Sequence, residues 1–288
     1  MKRALYLLLG GALTLGGGCY TPEKIDSEHK LVEVSVEHNN LEKIINATYK
    51  LRQDSVYSET FLDKNNNVLG VKYQRTVTFG SAFAFGRDND KVYFATAEHC
   101  LPREPTEKEQ IYFDGFVRKR SALFKTQLML VNYTKEKEEV IGVLKEVARD
   151  EDADCAILEG VEMPMKKFDI YSSFTDPSSL KLGQFIYSVG FPHGNGFSWG
   201  RHVTHGIISS FDVAQLPFKS KGTIFTEAVL DPGMSGGPTC IIENEKLLIA
   251  GVNVRLYPTL HSKFGVSLGL LDLIKKNKLE HLINKGKK

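Results

Sequence analysis

The sequence has few cysteines and almost no excess of charge of either sign. Four cysteines in 288 residues are too few for a scaffold that disulfides hold together. Lys and Arg number 37 against 35 Asp and Glu, and without Lys2 and Arg3 the balance is 37 − 2 = 35 against 35. Such a chain has no global field that favours nucleic acid. With 42% hydrophobic and 25% charged residues, the composition also excludes disordered, collagen-like and coiled-coil classes.

The first eighteen residues have the features of an export signal. Lys2 and Arg3 precede an uncharged stretch from Ala4 to Gly18, which is short for a membrane span of about twenty residues and suits the core of a signal peptide. The stretch ends in three glycines before Cys19, and this resembles a bacterial lipoprotein signal, in which the cysteine is lipidated. A plain secretory signal and an uncleaved anchor are the alternatives. We therefore expect a signal peptide at 1–18, a polar tether at 19–50 and an exported protein, periplasmic or at the cell surface, anchored through lipid on Cys19.

The body of the chain has the pattern of a β protein. Short β-prone runs such as VKYQRTVTF, KVYFATA and KLLIAGVNV alternate with turn signals such as RDND. Residues 134–149 are charge-rich, and their pattern fits either a hairpin insertion or a helix. The last stretch, LLDLIKKNKLEHLINKGKK, has apolar residues at mostly helical spacing and predicts an amphipathic helix over about 268–284. The sequence therefore predicts an all-β domain with a terminal helix.

A serine between glycines is the sharpest chemical signal. The string DPGMSGGP places Ser235 after Gly233 and Met234 and before two further glycines. Glycines allow close approach of a substrate and backbone dihedrals that a side chain forbids. Such a turn can direct the amides of Gly233, Met234 and Ser235 towards one point, which would form an oxyanion hole.

Two further motifs precede the serine. FATAEHC presents His99 at the end of an apolar strand. In DEDADCAIL, four acidic residues come before the start of another apolar strand. Asp154 is the last of these acids and directly adjoins the apolar residues. It is therefore the one expected beside the histidine, whereas Asp150 and Asp152 are expected to be solvated.

These three motifs, in the order His, Asp, Ser, resemble the chymotrypsin-like serine peptidases. Supporting strings at Gly80-Ser81-Ala82-Phe83 and Gly251-Val252-Asn253 are most similar to the HtrA-type bacterial branch. The resemblance implies two six-stranded β-barrels, at about 68–165 and 180–268, within a protease domain at 51–288. It also implies His99, Asp154 and Ser235 as a catalytic triad in the seam, hydrolysing peptide bonds.

The sequence also departs from this family in three ways. Cys100 has no partner cysteine before the histidine strand, so we expect no disulfide in the core. Met234 stands where activated digestive enzymes hold an aspartate, which disfavours activation by insertion of a new N-terminus. HtrA-type enzymes usually carry PDZ domains, and we expect none within these 288 residues.

The walls of the substrate pocket are expected to be apolar. We predict that they consist of Val229, Leu230, Gly251, Val252, Asn253 and Gly265. These uncharged residues favour small or medium aliphatic side chains before the cleaved bond.

Other classes of function have weaker support. His202 and His205 lie three apart on a predicted strand and point to opposite faces, so we expect no metal site, and no cofactor either. The expected partners are protein or peptide substrates and, through Cys19, the membrane, but not nucleic acid. A slow chaperone-like or binding module on the same fold, or an esterase, remain the alternatives to an endopeptidase.

Overall fold

A computed structural model describes residues 38–63, 65–103, 118–133, 138–161, 163, 168–192, 200–211, 223–244, 246–257 and 263–285. The predicted signal peptide, Cys19 and most of the tether lie outside these residues. The described residues fall in one compact unit, Ser35–Lys288. No helix within the described ranges has the length and apolar character needed to cross a membrane.

The first half of this unit forms a closed barrel of six antiparallel strands. A short helix precedes it, α1 (His38–Asn46). The strands are β1 (Thr48–Leu62), β2 (Val68–Asp88), β3 (Lys91–Thr96), β4 (Arg118–Tyr133), β5 (Glu138–Asp150) and β6 (Cys155–Val161). Their order around the barrel is β1-β2-β3-β6-β5-β4. Residues 138–149 are therefore part of one strand that pairs antiparallel with β4, and not a helix, whereas residues 134–137 lie outside the described residues.

The second half contains an eight-stranded sheet. Its strands are β7 (Ser173–Phe174), β8 (Phe185–Gly190), β9 (His202–Phe211), β10 (Thr223–Thr226), β11 (Pro238–Glu243), β12 (Lys246–Tyr257), β13 (Lys263–Ser267) and β14 (Asn284–Lys285). Their order is β11-β8-β9-β10-β13-β12-β7-β14, and a further pairing of β11 with β12 closes six of them into a ring. The predicted all-β fold of two six-stranded barrels is confirmed.

One apolar core crosses the seam between the barrels. Phe83 and Phe94 of the first barrel share a buried cluster with Ile249 and Val252 of the second. A separate cluster, including Ile186 and Ile224, fills the second barrel. The seam is therefore packed like an interior, which fixes the two barrels against each other.

Two expected boundaries differ from the observed ones. The first barrel includes β1 from Thr48, ahead of the expected start near residue 68. The terminal helix α2 covers only Leu270–Lys276, because Lys278 adopts a left-handed φ of 58° that a helix does not accommodate. Leu282 and Ile283 nevertheless stay buried through a 3₁₀ turn, Glu280–Leu282.

Candidate active site

His99 lies on a 3₁₀ turn at the end of β3. The turn, Glu98–Cys100, closes when Cys100 N donates to Ala97 O at 3.1 Å and Leu101 N donates to Glu98 O at 2.9 Å. The predicted histidine is therefore held by local backbone geometry at the strand end.

Asp154 holds His99 at two places. The His99 backbone N–H donates to Asp154 Oδ1 at 3.0 Å, and ring Nδ1 lies 2.9 Å from Oδ2 and 3.0 Å from Oδ1. An ionised carboxylate only accepts hydrogen bonds, so Nδ1 carries a proton, and in the neutral form of the ring the lone pair lies on Nε2. The pair is therefore arranged as a base, with Nε2 as the atom that accepts a proton.

The turn that carries Asp154 is itself supported from several sides. Asp154 has a left-handed φ of 49°. Asp150 accepts from Ala153 N at 3.0 Å and pairs with Lys276 Nζ at 3.2 Å, and Ser267 Oγ donates to Ala153 O. Asp150 is thus a structural cap and not a solvated charge, contrary to the expectation. Burial alone would raise the pKa of Asp150, but these hydrogen bonds lower it.

A buried carboxylate next to His99 was missed by sequence reasoning. The Glu98 side chain is 0% exposed, and it pairs with Arg103 and, at 3.2 Å, with Arg149. Arg149 also donates to Pro102 O at 3.4 Å and pairs with Glu146. Because Arg149 lies one residue before the end of β5, next to the Asp150–Asp154 turn, this network ties the histidine turn to the aspartate turn. The sequence feature that could have revealed this network is Glu98, the acidic residue directly before the histidine.

Ser235 lies on a loop whose backbone conformation requires glycine. Gly233 has a φ of 99° and Gly236 a φ of 89°, and both angles are costly for residues with a Cβ. Gly236 N donates to Asn253 O, and Asn253 N donates to Gly237 O, both at 2.8 Å. Met234 is fully buried beside Leu230. An apolar contact therefore anchors this loop where digestive enzymes have an ion pair.

The amides of this loop differ in their partners. Met234 N donates to Asp231 O at 3.0 Å, so this amide is already engaged. Within the described part of the chain, the amides of Gly233 and Ser235 have no acceptor. Of the three amides predicted for an oxyanion hole, these two are the ones that a substrate oxygen could reach.

The nucleophile loop contacts the histidine turn across the seam. Ser235 O accepts from Ser81 N at 2.7 Å and lies 3.7 Å from Cys100 Sγ. Cys100 directly follows His99, so the segments that carry His99, Asp154 and Ser235 are in contact.

The electrostatics favour a protonated imidazole. Burial by itself lowers the pKa of His99, but hydrogen bonds to Asp154 and to the Cys100 sulfur outweigh burial and raise this pKa to about 10. Cys100, Cys155 and Cys240 are buried free thiols, and burial raises the pKa of Cys155 to about 12. Burial also raises the pKa of Cys240, so Cys155 and Cys240 have little thiolate character at neutral pH.

The residues predicted to line the pocket differ in exposure. Val229 is 56% exposed, whereas the side chains of Leu230, Val252 and Asn253 are buried. Gly251 lies against Ser267 O, and Gly265 pairs with Phe225 and Val254. A cavity of about 700 Å³ lined by Tyr49, Lys50 and Arg201, among others, contains none of the predicted residues.

The chain is similar to known proteins in sequence and in fold. Residues 80–248 match the family model described as a trypsin-like peptidase domain. The chain belongs to the trypsin-like peptidase family. The matched residues of this trypsin-like peptidase include His99, Asp154 and Ser235.

Individual relatives point to the HtrA-type branch. A probable periplasmic serine endoprotease, DegP-like, of Brucella suis is 28% identical over 144 residues, covering 49% of this chain and 26% of that protein. The serine protease Do-like HtrB of Bacillus subtilis is 25% identical over 268 residues, covering 85% of this chain and 51% of that protein. The chain thus spans about half of these relatives or less. The HtrA-type protease AlgW with tripeptide has a TM-score of 0.52 at 18% identity, covering 85% of this chain and 64% of that one, which shows a shared fold.

Proposed function

We propose that this trypsin-like peptidase is an exported serine endopeptidase that uses His99, Asp154 and Ser235 as its triad. The observation that carries the proposal is the double contact of Asp154 with His99, on a turn that touches the Ser235 backbone. These contacts support the proposal because nucleophilic acyl transfer requires a base and an alcohol in adjoining segments.

The proposed reaction begins with attack of Ser235 Oγ on the carbonyl carbon of the substrate. The hydroxyl proton moves to His99 Nε2, and the amides of Gly233 and Ser235 bind the oxyanion that develops. The C–N bond then breaks as His99 returns the proton to the leaving amine. Water repeats the cycle on the acyl-enzyme, and Asp154 stabilises the imidazolium in both halves.

We propose a preference for small or medium aliphatic residues before the cleaved bond. The exposed Val229 and the buried Leu230 directly precede the nucleophile loop, and neither supplies the carboxylate that an Arg or Lys substrate needs. A panel of peptides that vary only at this position tests the preference. Strict cleavage after Arg or Lys would contradict it.

Export and membrane attachment complete the proposal. The curated relative from Brucella suis is named periplasmic, and the uncharged stretch before Cys19 suits a lipoprotein signal. Detergent-phase partitioning of the parent chain, lost in Cys19→Ser, is the expected result. Equal partitioning of both would exclude the lipid on Cys19.

The catalytic assignment has a direct test. Ser235→Ala should retain its fold by circular dichroism, lose casein hydrolysis and lose labelling by a fluorophosphonate probe. Hydrolysis by this variant at the parent rate would exclude Ser235. Labelling of Ser235 without hydrolysis of any peptide would favour the slow binding module or the esterase.

A further inference from the structure

Three consecutive backbone carbonyls at Ser235 accept hydrogen bonds from the protein. Ser81 Oγ donates to Gly233 O at 2.8 Å, and Ser81 N donates to Ser235 O at 2.7 Å. Met234 O accepts from Gly237 N at 3.1 Å within the loop and from Asn253 Nδ2 at 3.3 Å. Two residues distant in the sequence, Ser81 of β2 and Asn253 of β12, therefore contribute to holding all three of these carbonyls.

These anchors also fix the Ser235 amide, which lies on the opposite side of the peptide unit that Met234 O belongs to. In a planar trans peptide, the N–H points away from the preceding C=O. Because Met234 O points to Asn253, the Ser235 N–H points away from Asn253. The neighbouring unit is held at both ends, with Gly233 O on Ser81 Oγ and Met234 N on Asp231 O. The loop therefore has little freedom to rotate these units.

We propose that Ser81 and Asn253 are positioning residues that preorganise the Ser235 amide as a donor of the oxyanion hole. This inference rests on the proposed function, and it assigns to both side chains a role in transition-state stabilisation without contact to the substrate. Fixed donors stabilise a developing oxyanion because they need no reorganisation during the reaction. A donor that must first rotate into place loses part of that advantage.

Ser81 links the loop to both barrels. Its side chain is 0% exposed, and its Oγ accepts from Phe191 N at 3.0 Å while it donates to Gly233 O. Thr96 Oγ1, at the end of the histidine strand, donates to Ser81 O at 2.8 Å. The same residue therefore connects the histidine strand, the nucleophile loop and the segment after β8.

Asn253 is equally well anchored. Its side chain is 0% exposed, Nδ2 also donates to Val189 O at 3.1 Å, and Oδ1 accepts from Thr239 Oγ1. A side chain this buried does not contact a substrate. The sequence predicts Asn253 in the wall of the substrate pocket, whereas these contacts favour support of the nucleophile loop from behind.

The test compares Ser81→Ala and Asn253→Asp with the parent chain. Ser81→Ala removes the hydroxyl, and Asn253→Asp replaces the amide donor by an acceptor of the same shape. Ser55→Ala is the matched control, since Ser55 is also 0% exposed and its Oγ also makes two hydrogen bonds, at 2.8 and 3.1 Å, away from the loop. Ser81→Thr restores a hydroxyl.

The measurements are kcat and KM on a peptide substrate, the affinity for a peptide boronate that forms a tetrahedral adduct with serine, and Tm. We expect kcat and boronate affinity to fall together by about tenfold or more, with KM within about twofold. Ser81→Thr should recover much of kcat, and Ser55→Ala should lower Tm without lowering kcat. Asn253→Asp provides an independent result if Ser81→Ala fails to fold.

The outcomes separate this inference from the proposed function. A parental kcat in both Ser81→Ala and Asn253→Asp would overturn the inference and leave the peptidase assignment intact. Parallel losses of kcat in Ser55→Ala would also overturn it, because the effect would then follow stability. A parent chain inert towards peptides, boronate and fluorophosphonate would overturn both.

Discussion

The two halves of the proposed triad are held by different kinds of interaction. In the first barrel, charged side chains hold the histidine and aspartate turns, through Asp154 on His99 and Glu98 on Arg149. In the second barrel, backbone hydrogen bonds and left-handed glycines hold the loop that carries Ser235, together with the neutral side chains of Ser81 and Asn253. Removal of a charge should therefore affect the first half most, whereas added backbone bulk should disrupt the second.

The largest effect is expected where the second half cannot tolerate a methyl group. In Gly236→Ala, the new Cβ would overlap Ser81 O and Thr96 Oγ1 at a φ of 89°. We expect a loss of stability of about 3 kcal/mol or more and no detectable hydrolysis, measured by urea unfolding and a peptide assay.

Gly183→Ala separates strain from overlap. Gly183 has a φ of 75°, but a Cβ at this position would meet nothing within 4 Å, so its substitution should cost only about 1 kcal/mol and leave kcat unchanged. If the two variants lost equal stability, backbone strain alone would explain the result, and the proposed close contact between barrels at Gly236 would be wrong.

Asp154→Asn should give the next largest effect, on rate and not on fold. Asparagine can present its NH₂ to Nδ1, which leaves the proton on Nε2 and removes the base. We expect kcat to fall about ten-thousand-fold at neutral pH, measured with a peptide substrate. Asp152→Asn, at an exposed position of the same turn, is the control and should retain parental kcat. Equal rates for the two variants would place the functional acid elsewhere.

The same pair predicts how activity and stability depend on pH. The pKa of His99 is raised to about 10, so the neutral base is populated only as pH rises, and kcat/KM should increase well above pH 6.5. The stabilisation by this pair is complete below the unfolded pKa of about 6.5 and is lost as pH rises towards 10. The stability gap between the parent and Asp154→Asn should therefore narrow from pH 6 to pH 10. A constant gap in urea titrations would refute this coupling.

This contrast also explains what the sequence could predict. The motif around Ser235, the histidine after an apolar strand and the last acid before another strand are local patterns, and their chemistry follows from residue type. Ser81 and Asn253 act through single hydrogen bonds to a distant loop, and no local pattern reveals such a contact. Likewise, the role of Asp150 as a cap depends on Lys276, which is far away in the chain.

Gly80→Cys gives the smallest expected effect on activity and tests how closely the two turns approach. A Cβ at Gly80 would lie 2.7 Å from Cys100 Sγ, 3.4 Å from Cys100 Cβ and 3.2 Å from Ser235 O, close to the Cβ separation of disulfides, about 3.5–4.5 Å. We expect a disulfide with Cys100 that adds about 1–2 kcal/mol of stability and changes kcat less than about twofold, since the sulfur already lies there. Mass spectrometry detects the disulfide, and unfolding with and without dithiothreitol measures its effect on stability. Gly80→Ser controls for the added Cβ. Two free thiols in an oxidised and folded Gly80→Cys protein would show that the histidine turn and β2 lie further apart than these distances require.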